Sequence, residues 1–310
     1  MRDVAGQHSA RRALEIAASG GHNLLFFGPP GTGKTLLATR LPGILPPPEP
    51  EEALTVMALH NMQCSDRGDA CPGRPFRSPH HSASPAALVG GGGRPRPGEV
   101  SLAHGGVLFL DELPEFSRHC LEVLREPMES GEITVSRARQ TVTYPARFQL
   151  VAAMNPCPCG YLGDPARHCR CSPGQVQRYR ARISGPLLDR IDLHVPVQRL
   201  PAADLLMASS ANEPSSEVRG RVCRARLRQA ERQHGDNARL AARSLAAICR
   251  LEQAQLRYLE AAAARMQLSG RALHRSMKVA RTIADLADSQ TVETTHLSEA
   301  LAYRGLDCVN

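Results

Sequence analysis

The stretch Leu24-Leu25-Phe26-Phe27-Gly28-Pro29-Pro30-Gly31-Thr32-Gly33-Lys34-Thr35-Leu36-Leu37-Ala38-Thr39-Arg40-Leu41 decides the fold. Its first four residues read as a buried strand, and the run after Thr35 reads as a helix. Between them Gly28 to Thr35 spells G-x-x-x-x-G-K-T, which in a strand–loop–helix setting is a phosphate-binding loop. The glycines let the backbone curl until its N–H groups point at phosphate oxygens. Lys34 adds a charge for the β- and γ-phosphates, and the Thr35 hydroxyl can ligate Mg²⁺. A chance Gly/Pro turn would lack the flanking strand and helix, so the whole loop, Gly28, Pro29, Pro30, Gly31, Thr32, Gly33, Lys34 and Thr35, is expected to bind a nucleoside triphosphate.

Two more apolar strands end in polar groups. Gly105-Gly106-Val107-Leu108-Phe109-Leu110 runs into Asp111-Glu112, and Gln149-Leu150-Val151-Ala152-Ala153-Met154 runs into Asn155. In a parallel sheet such strand ends face the ligand crevice. Asp111 can hold Mg²⁺, Glu112 can orient or deprotonate the attacking water, and Asn155 can hydrogen-bond the γ-phosphate or that water. Asn is also a common turn former, so its place after the other two strands is what raises it. Arg190, in Leu187-Leu188-Asp189-Arg190, follows a basic run from Arg178 to Arg182. An arginine there could reach a neighbouring subunit's γ-phosphate. By spacing alone, a surface arginine or an intradomain ion pair describes it better.

Strands alternating with helices imply a mainly parallel sheet covered on both faces, an α/β core. A helix is expected over 9–19, ending at Gly20-Gly21, and another after Ser117 with Leu121, Leu124 and Met128 on one face. Residues 61–104 lack periodicity and read as a long insertion holding Pro75 to His81 and the flexible Gly90 to Gly93. Residues 132–148 alternate, with Ile133 and Val135 opposite Val142 and Tyr144, which predicts a hairpin with an arginine-bearing tip. The core is expected at 1–198 and a linker at 199–214. An all-helical domain follows at 215–310, whose clearest helix is capped by Ser269 and buries Leu273, Met277, Ala280, Ile283 and Ala284.

The chain of 310 residues carries a net charge of +8 with only two lysines, Lys34 and Lys278. A basic balance is compatible with nucleic-acid binding without showing it. No apolar run is long enough to cross a bilayer and no leader-like segment opens the chain, so a cytoplasmic location is expected. Ten cysteines in a reducing compartment point to thiols or a metal site rather than disulfides. Cys157-x-Cys159 and Cys169-x-Cys171 could hold tetrahedral Zn²⁺, with His168 as a substitute ligand. The C-x-C spacing is tighter than the usual C-x₂₋₄-C, and reduced thiols in a structured loop are the alternative.

Several segments together resemble the AAA+ ATPases of the magnesium-chelatase-like group, most closely the ComM/YifB type. They are Gly6-Gln7, Arg12 to Ala18, Gly21 to Leu25, the phosphate-binding loop, Pro75 to His81 and Pro97 to His104. Further on they are the Asp111-Glu112 strand, Asn155 to Tyr161, Arg178 to Asp192, Val279 to Leu286 and Ala302 to Arg304. The resemblance implies an AAA+ core followed by a helical lid, with Gly28 to Thr35 as Walker A and Asp111 and Glu112 as Walker B. It makes Asn155 sensor 1, Arg190 an arginine finger acting in trans, and Arg271 sensor 2, reaching back from the lid. Residues 76–104 then look like a helix-2 insert and 132–148 like a pre-sensor-1 hairpin lining a pore. ATP and Mg²⁺ are the implied cofactors and a homohexameric ring the implied assembly. Members of this type usually carry a Lon-protease-like domain before the Gly-Gln motif. Here Met1 stands just before it, so the chain is expected to hold only motor and lid, with a partner chain as a candidate source of the other domain.

Three functions follow as expectations. The first is a DNA-remodelling motor associated with branch migration in transformation or recombination. Arg137 and Arg139 at the hairpin tip would track a phosphate backbone, with Arg77, His80 and His81 in support. The second is a chelatase-type ATPase that drives a protein partner inserting Mg²⁺ into a porphyrin. The third is a truncated paralogue that binds ATP as an adaptor.

Overall fold

The computed structural model describes residues 1–62, 73–91, 95–137, 140–201 and 212–305. Along the chain its strands are β1 (Leu24–Phe27), β2 (Phe76–Arg77), β3 (Gly90–Gly91), β4 (Arg96–Pro97), β5 (Val107–Leu110), β6 (Glu132–Arg137), β7 (Gln140–Pro145), β8 (Gln149–Met154) and β9 (Leu193–Pro196). Five of them form a parallel sheet in the order β2-β5-β8-β1-β9. Alternate residues on these strands feed opposite faces of the sheet. Leu24, Phe26, Val107, Phe109, Val151 and Ala153 face one apolar core. Leu25, Leu108, Leu110, Leu150, Ala152 and Met154 face the other. That is why these strands read as continuous apolar runs.

The first core is closed by the helix His8–Gly20 and, behind it, by the C-terminal helical region. That region contributes Met277, Ala280, Ile283 and Ala284 from the helix Gly270–Leu286. Ser269 caps that helix by accepting the Ala272 N–H, as its sequence predicts. Polar contacts fix the docking, with Gln229 Nε2 donating to Ser19 O at 2.9 Å and Tyr303 O accepting from His194 N at 2.8 Å. The second core is closed by the insert and the hairpin through Leu88, Val100, Ile133, Val135 and Tyr144. Truncating a fully buried ring such as Phe26 to Ala would cost about 3–5 kcal/mol.

The β6–β7 register sets Ile133 against Tyr144 and Val135 against Val142, as the alternation predicts. The other face carries the hydroxyl pairs Thr134–Thr143 and Ser136–Thr141, at 3.0 and 2.9 Å. Two expectations are corrected. The helix capped by Ser117 stops at Val123, and a second one runs over Arg125–Ser130. Pro127 has no N–H and its ring would clash with the Val123 carbonyl, so one continuous helix cannot form. The region expected to be pure insertion also contains β2, an edge strand of the central sheet beside β5. A strand of two residues is too short to show periodicity. The linker expected at 199–214 lies largely outside the described residues.

Candidate active site

The loop after β1 sits at the C-terminal edge of the sheet, where the ends of β5 and β8 also arrive. Gly28 packs so closely on β9's exit that a Cβ would stand 2.0 Å from Val197 O. Gly31 and Gly33 adopt left-handed φ of +77° and +90° and face open space. This leaves the loop's backbone free to approach phosphate oxygens. Lys34 is buried, and its Nζ donates to Gly28 O (2.7 Å), Pro29 O (2.8 Å) and Asn155 Oδ1 (3.2 Å). Burial pushes its pKa down, while Asp111 and Glu112 oppose the shift. Thr35 Oγ1 donates to Asp111 Oδ2 at 2.8 Å. Asp111 Oδ1 accepts the Glu112 N–H at 2.9 Å. A hydroxyl and a carboxylate in contact, beside a lysine and an open glycine loop, fit the needs of a Mg²⁺–triphosphate.

Two contacts at this edge were not read from the sequence. His81 Nδ1 lies 3.2 Å from Glu112 Oε2, and its ring meets Phe116 edge-on. His81 was expected only as a secondary nucleic-acid contact. Gln7 Nε2 donates to Gln198 O at 2.7 Å and, more weakly, to Thr32 O at 3.4 Å, which ties the loop to the chain leaving β9. The Gly6-Gln7 motif flagged the position but not what it touches.

Arg190 is buried. Its Nη1 donates to Pro186 O at 2.6 Å and its Nη2 pairs with Glu129, so it forms the intradomain ion pair that its spacing suggested. Arg271 is exposed and shares with Arg190, Asp189, His274 and Arg275 a cavity of about 200 Å³ that no phosphate-loop residue lines. The resemblance expects Arg271 as sensor 2, reaching back from the lid; its side chain lies apart from the phosphate-binding loop of its own chain and beside Arg190. The apolar face of Gly270–Leu286 docks on the core that the helix His8–Gly20 closes, and this carries Arg271 to the face that presents Arg190. Beneath that face Asp192 accepts from Arg275 Nη1 at 2.5 Å and meets His22 Nδ1 at 3.3 Å. Burial opposes its ionisation, but these two partners hold Asp192 well below the usual carboxylate range.

Among the proposed DNA contacts, Arg77 is bound to Glu99 through two hydrogen bonds of 2.7 Å. Arg137 ends β6 opposite Gln140, and Arg139 lies outside the described residues.

The four cysteines converge. Cys157 and Cys159 Sγ are 3.4 Å apart, Cys157 and Cys169 3.7 Å, Cys159 and Cys169 3.6 Å. With Cys171 all four sulfurs lie within 4.8 Å of one another, and none is in a disulfide. His168 is exposed and is not among the grouped ligands. N–H groups of Tyr161 and Arg170 pull the Cys159 thiol down to about 6.

Fold and site together define a P-loop protein of the AAA+ class with an all-helical C-terminal region. Family models agree. "Magnesium chelatase, subunit ChlI" matches residues 1–205, and "Magnesium chelatase, subunit ChlI C-terminal" matches 212–304. The chain is 52% identical over 309 residues to the uncharacterized protein YifB of Salmonella typhimurium and 50% identical over 308 to the competence protein ComM of Haemophilus influenzae. Each alignment covers 99% of this chain and 60% of the relative. The magnesium-chelatase 38 kDa subunit of Cereibacter sphaeroides is 26% identical over 171 residues, covering 49% of this chain and 51% of that protein. The chain thus belongs to the magnesium-chelatase-like AAA+ family. It spans about 60% of the length of the YifB and ComM relatives. Among the described residues no helix is long and apolar enough to cross a membrane.

Proposed function

We propose that this chain is the ATP-hydrolysing motor of a DNA-remodelling machine of the ComM type, working as a hexameric ring in the cytoplasm. The observation that carries the reading is the meeting of Lys34 with Asn155 and of Thr35 with Asp111 at one sheet edge. In this reading the loop would bind the triphosphate, and Thr35 and Asp111 would hold a Mg²⁺, which would supply neutralisation of the phosphate charge. Glu112 orients the attacking water and accepts its proton. Asn155 holds the γ-phosphate end in register with Lys34. Arg190 and Arg271 share a face that a ring would present to the neighbouring subunit, where Arg190 would exchange Glu129 for phosphate. The hairpin arginines would track a DNA backbone, and the cysteine cluster would hold a structural Zn²⁺.

The test is the steady-state ATPase rate with and without single-stranded and branched DNA, with Glu112→Gln as the blank. Stimulation by DNA, with hexamers forming on ATP, supports the motor. A rate indifferent to DNA moves the reading to the chelatase-type alternative, which the partial likeness to the magnesium-chelatase subunit favours. ATP binding without turnover would leave an adaptor.

A further inference from the structure

Residues 156–172 contain no helix or strand. Loops of this length without secondary structure are uncommon in a compact domain unless something clips them. Here the sulfurs of Cys157, Cys159 and Cys169 form a triangle with sides of 3.4, 3.7 and 3.6 Å. The backbone brings Cys171 onto the same point, its N–H donating to Cys169 Sγ at 3.4 Å. A tetrahedral Zn²⁺ with bonds of about 2.3 Å has S···S edges of about 3.8 Å. Sulfurs holding an iron–sulfur cluster must stand around the body of the cluster rather than converge on one point.

This loop also touches the nucleotide site. Gly160 turns at φ +85°, and a Cβ there would stand 2.9 Å from Pro30 Cδ in the phosphate-binding loop and 3.9 Å from Asn155 Cγ. Its N–H is held by Cys157 O at 3.0 Å. On the far side, Asp164 binds Arg199 at 3.1 Å, next to the Gln198 carbonyl that Gln7 holds.

We propose that Cys157, Cys159, Cys169 and Cys171 bind one Zn²⁺ and that this ion braces the phosphate-binding loop, through Gly160 against Pro30, for nucleotide binding. The brace rests on the nucleotide-binding reading above; the metal site does not. The ion is structural, since four thiolates leave no open position for substrate.

The test starts with the metal content of the full chain purified without chelator. One zinc per chain is expected, lost in the double variant Cys169→Ser/Cys171→Ser and kept in Cys223→Ser. Absence of zinc, or iron with visible absorption in its place, overturns the site. Fluorescent mant-ATP titration then compares the loaded chain with chain stripped by a mercurial and a zinc chelator, and with stripped chain reloaded with Zn²⁺. Stripping should weaken binding about tenfold and reloading should restore it; affinity indifferent to zinc overturns the brace. If the cysteine variants do not fold, Gly160→Ala carries the test. It should keep its zinc and bind mant-ATP about tenfold more weakly, and unchanged affinity there also overturns the brace. Should wild-type chain hold zinc yet bind no nucleotide, the nucleotide reading fails and the metal site stands.

Discussion

His81 Nδ1 stands 3.2 Å from Glu112 Oε2, so the segment following the edge strand β2 holds the second acid of the site. In the proposed reaction the contact would compete with the water that Glu112 orients. Both side chains are partly exposed, so the bond is worth about 0.5–1 kcal/mol. His81→Ala should therefore raise the basal ATPase rate about two- to fivefold and make it less responsive to DNA. A basal rate equal to or below wild type would show that His81 does not restrain Glu112.

Lys34 carries two bonds to loop carbonyls and one to Asn155. Lys34→Ala should weaken mant-ATP binding on the order of 100-fold, the value of about two charge-assisted contacts. Tight binding by that variant would overturn the site assignment. Its melting temperature should stay near that of wild type, which separates this outcome from misfolding.

Arg190 is already paired within its own chain, so structural and catalytic roles need separating. As a trans finger, Arg190→Ala should bind ATP normally and lose about 10³-fold in turnover. Mixing it with Lys34→Ala chains should restore part of the rate, because mixed rings pair an intact loop with an intact finger. Turnover that only tracks a lowered melting temperature, with no gain on mixing, assigns Arg190 to the ion pair alone.

His194, on β9, has its pKa pushed down to about 3 by burial, with Arg304 adding to the shift. Above pH 6.5, the ordinary imidazole value, folded and unfolded forms are both neutral and the group is silent. Below it the unfolded chain takes a proton that the folded chain refuses, so stability falls as pH drops towards about 3. At pH 5 this amounts to about 2 kcal/mol. His22 and His104, lowered by burial as well, act in the same direction. Thermal midpoints should fall between about pH 7 and pH 5, and His194→Gln should flatten that slope. A midpoint independent of pH across this window would contradict the burial of these rings.

Much of the site was legible because its pieces are local. Strand, turn and helix signals around Gly28 to Thr35 lie within 18 consecutive residues, and Asp111 and Asn155 each end an unmistakable apolar run. The His81–Glu112 contact was not legible. It depends on β2, a two-residue strand that only its pairing with β5 defines. The place of Arg271 beside Arg190 was not legible for a similar reason. Its helix, cap and apolar face follow from the sequence, but which surface that face covers does not.

The sequence alone determined the alternation of strands and helices, the phosphate-binding loop, the hairpin register and the Ser269 cap, since each depends on φ/ψ preference and side-chain periodicity over a few residues. Tertiary structure alone decided that His81 meets Glu112, that Arg190 pairs with Glu129 beside Arg271, and that four sulfurs from two C-x-C pairs close on one point. Those arrangements join groups that chain packing brings together, and no local preference encodes them.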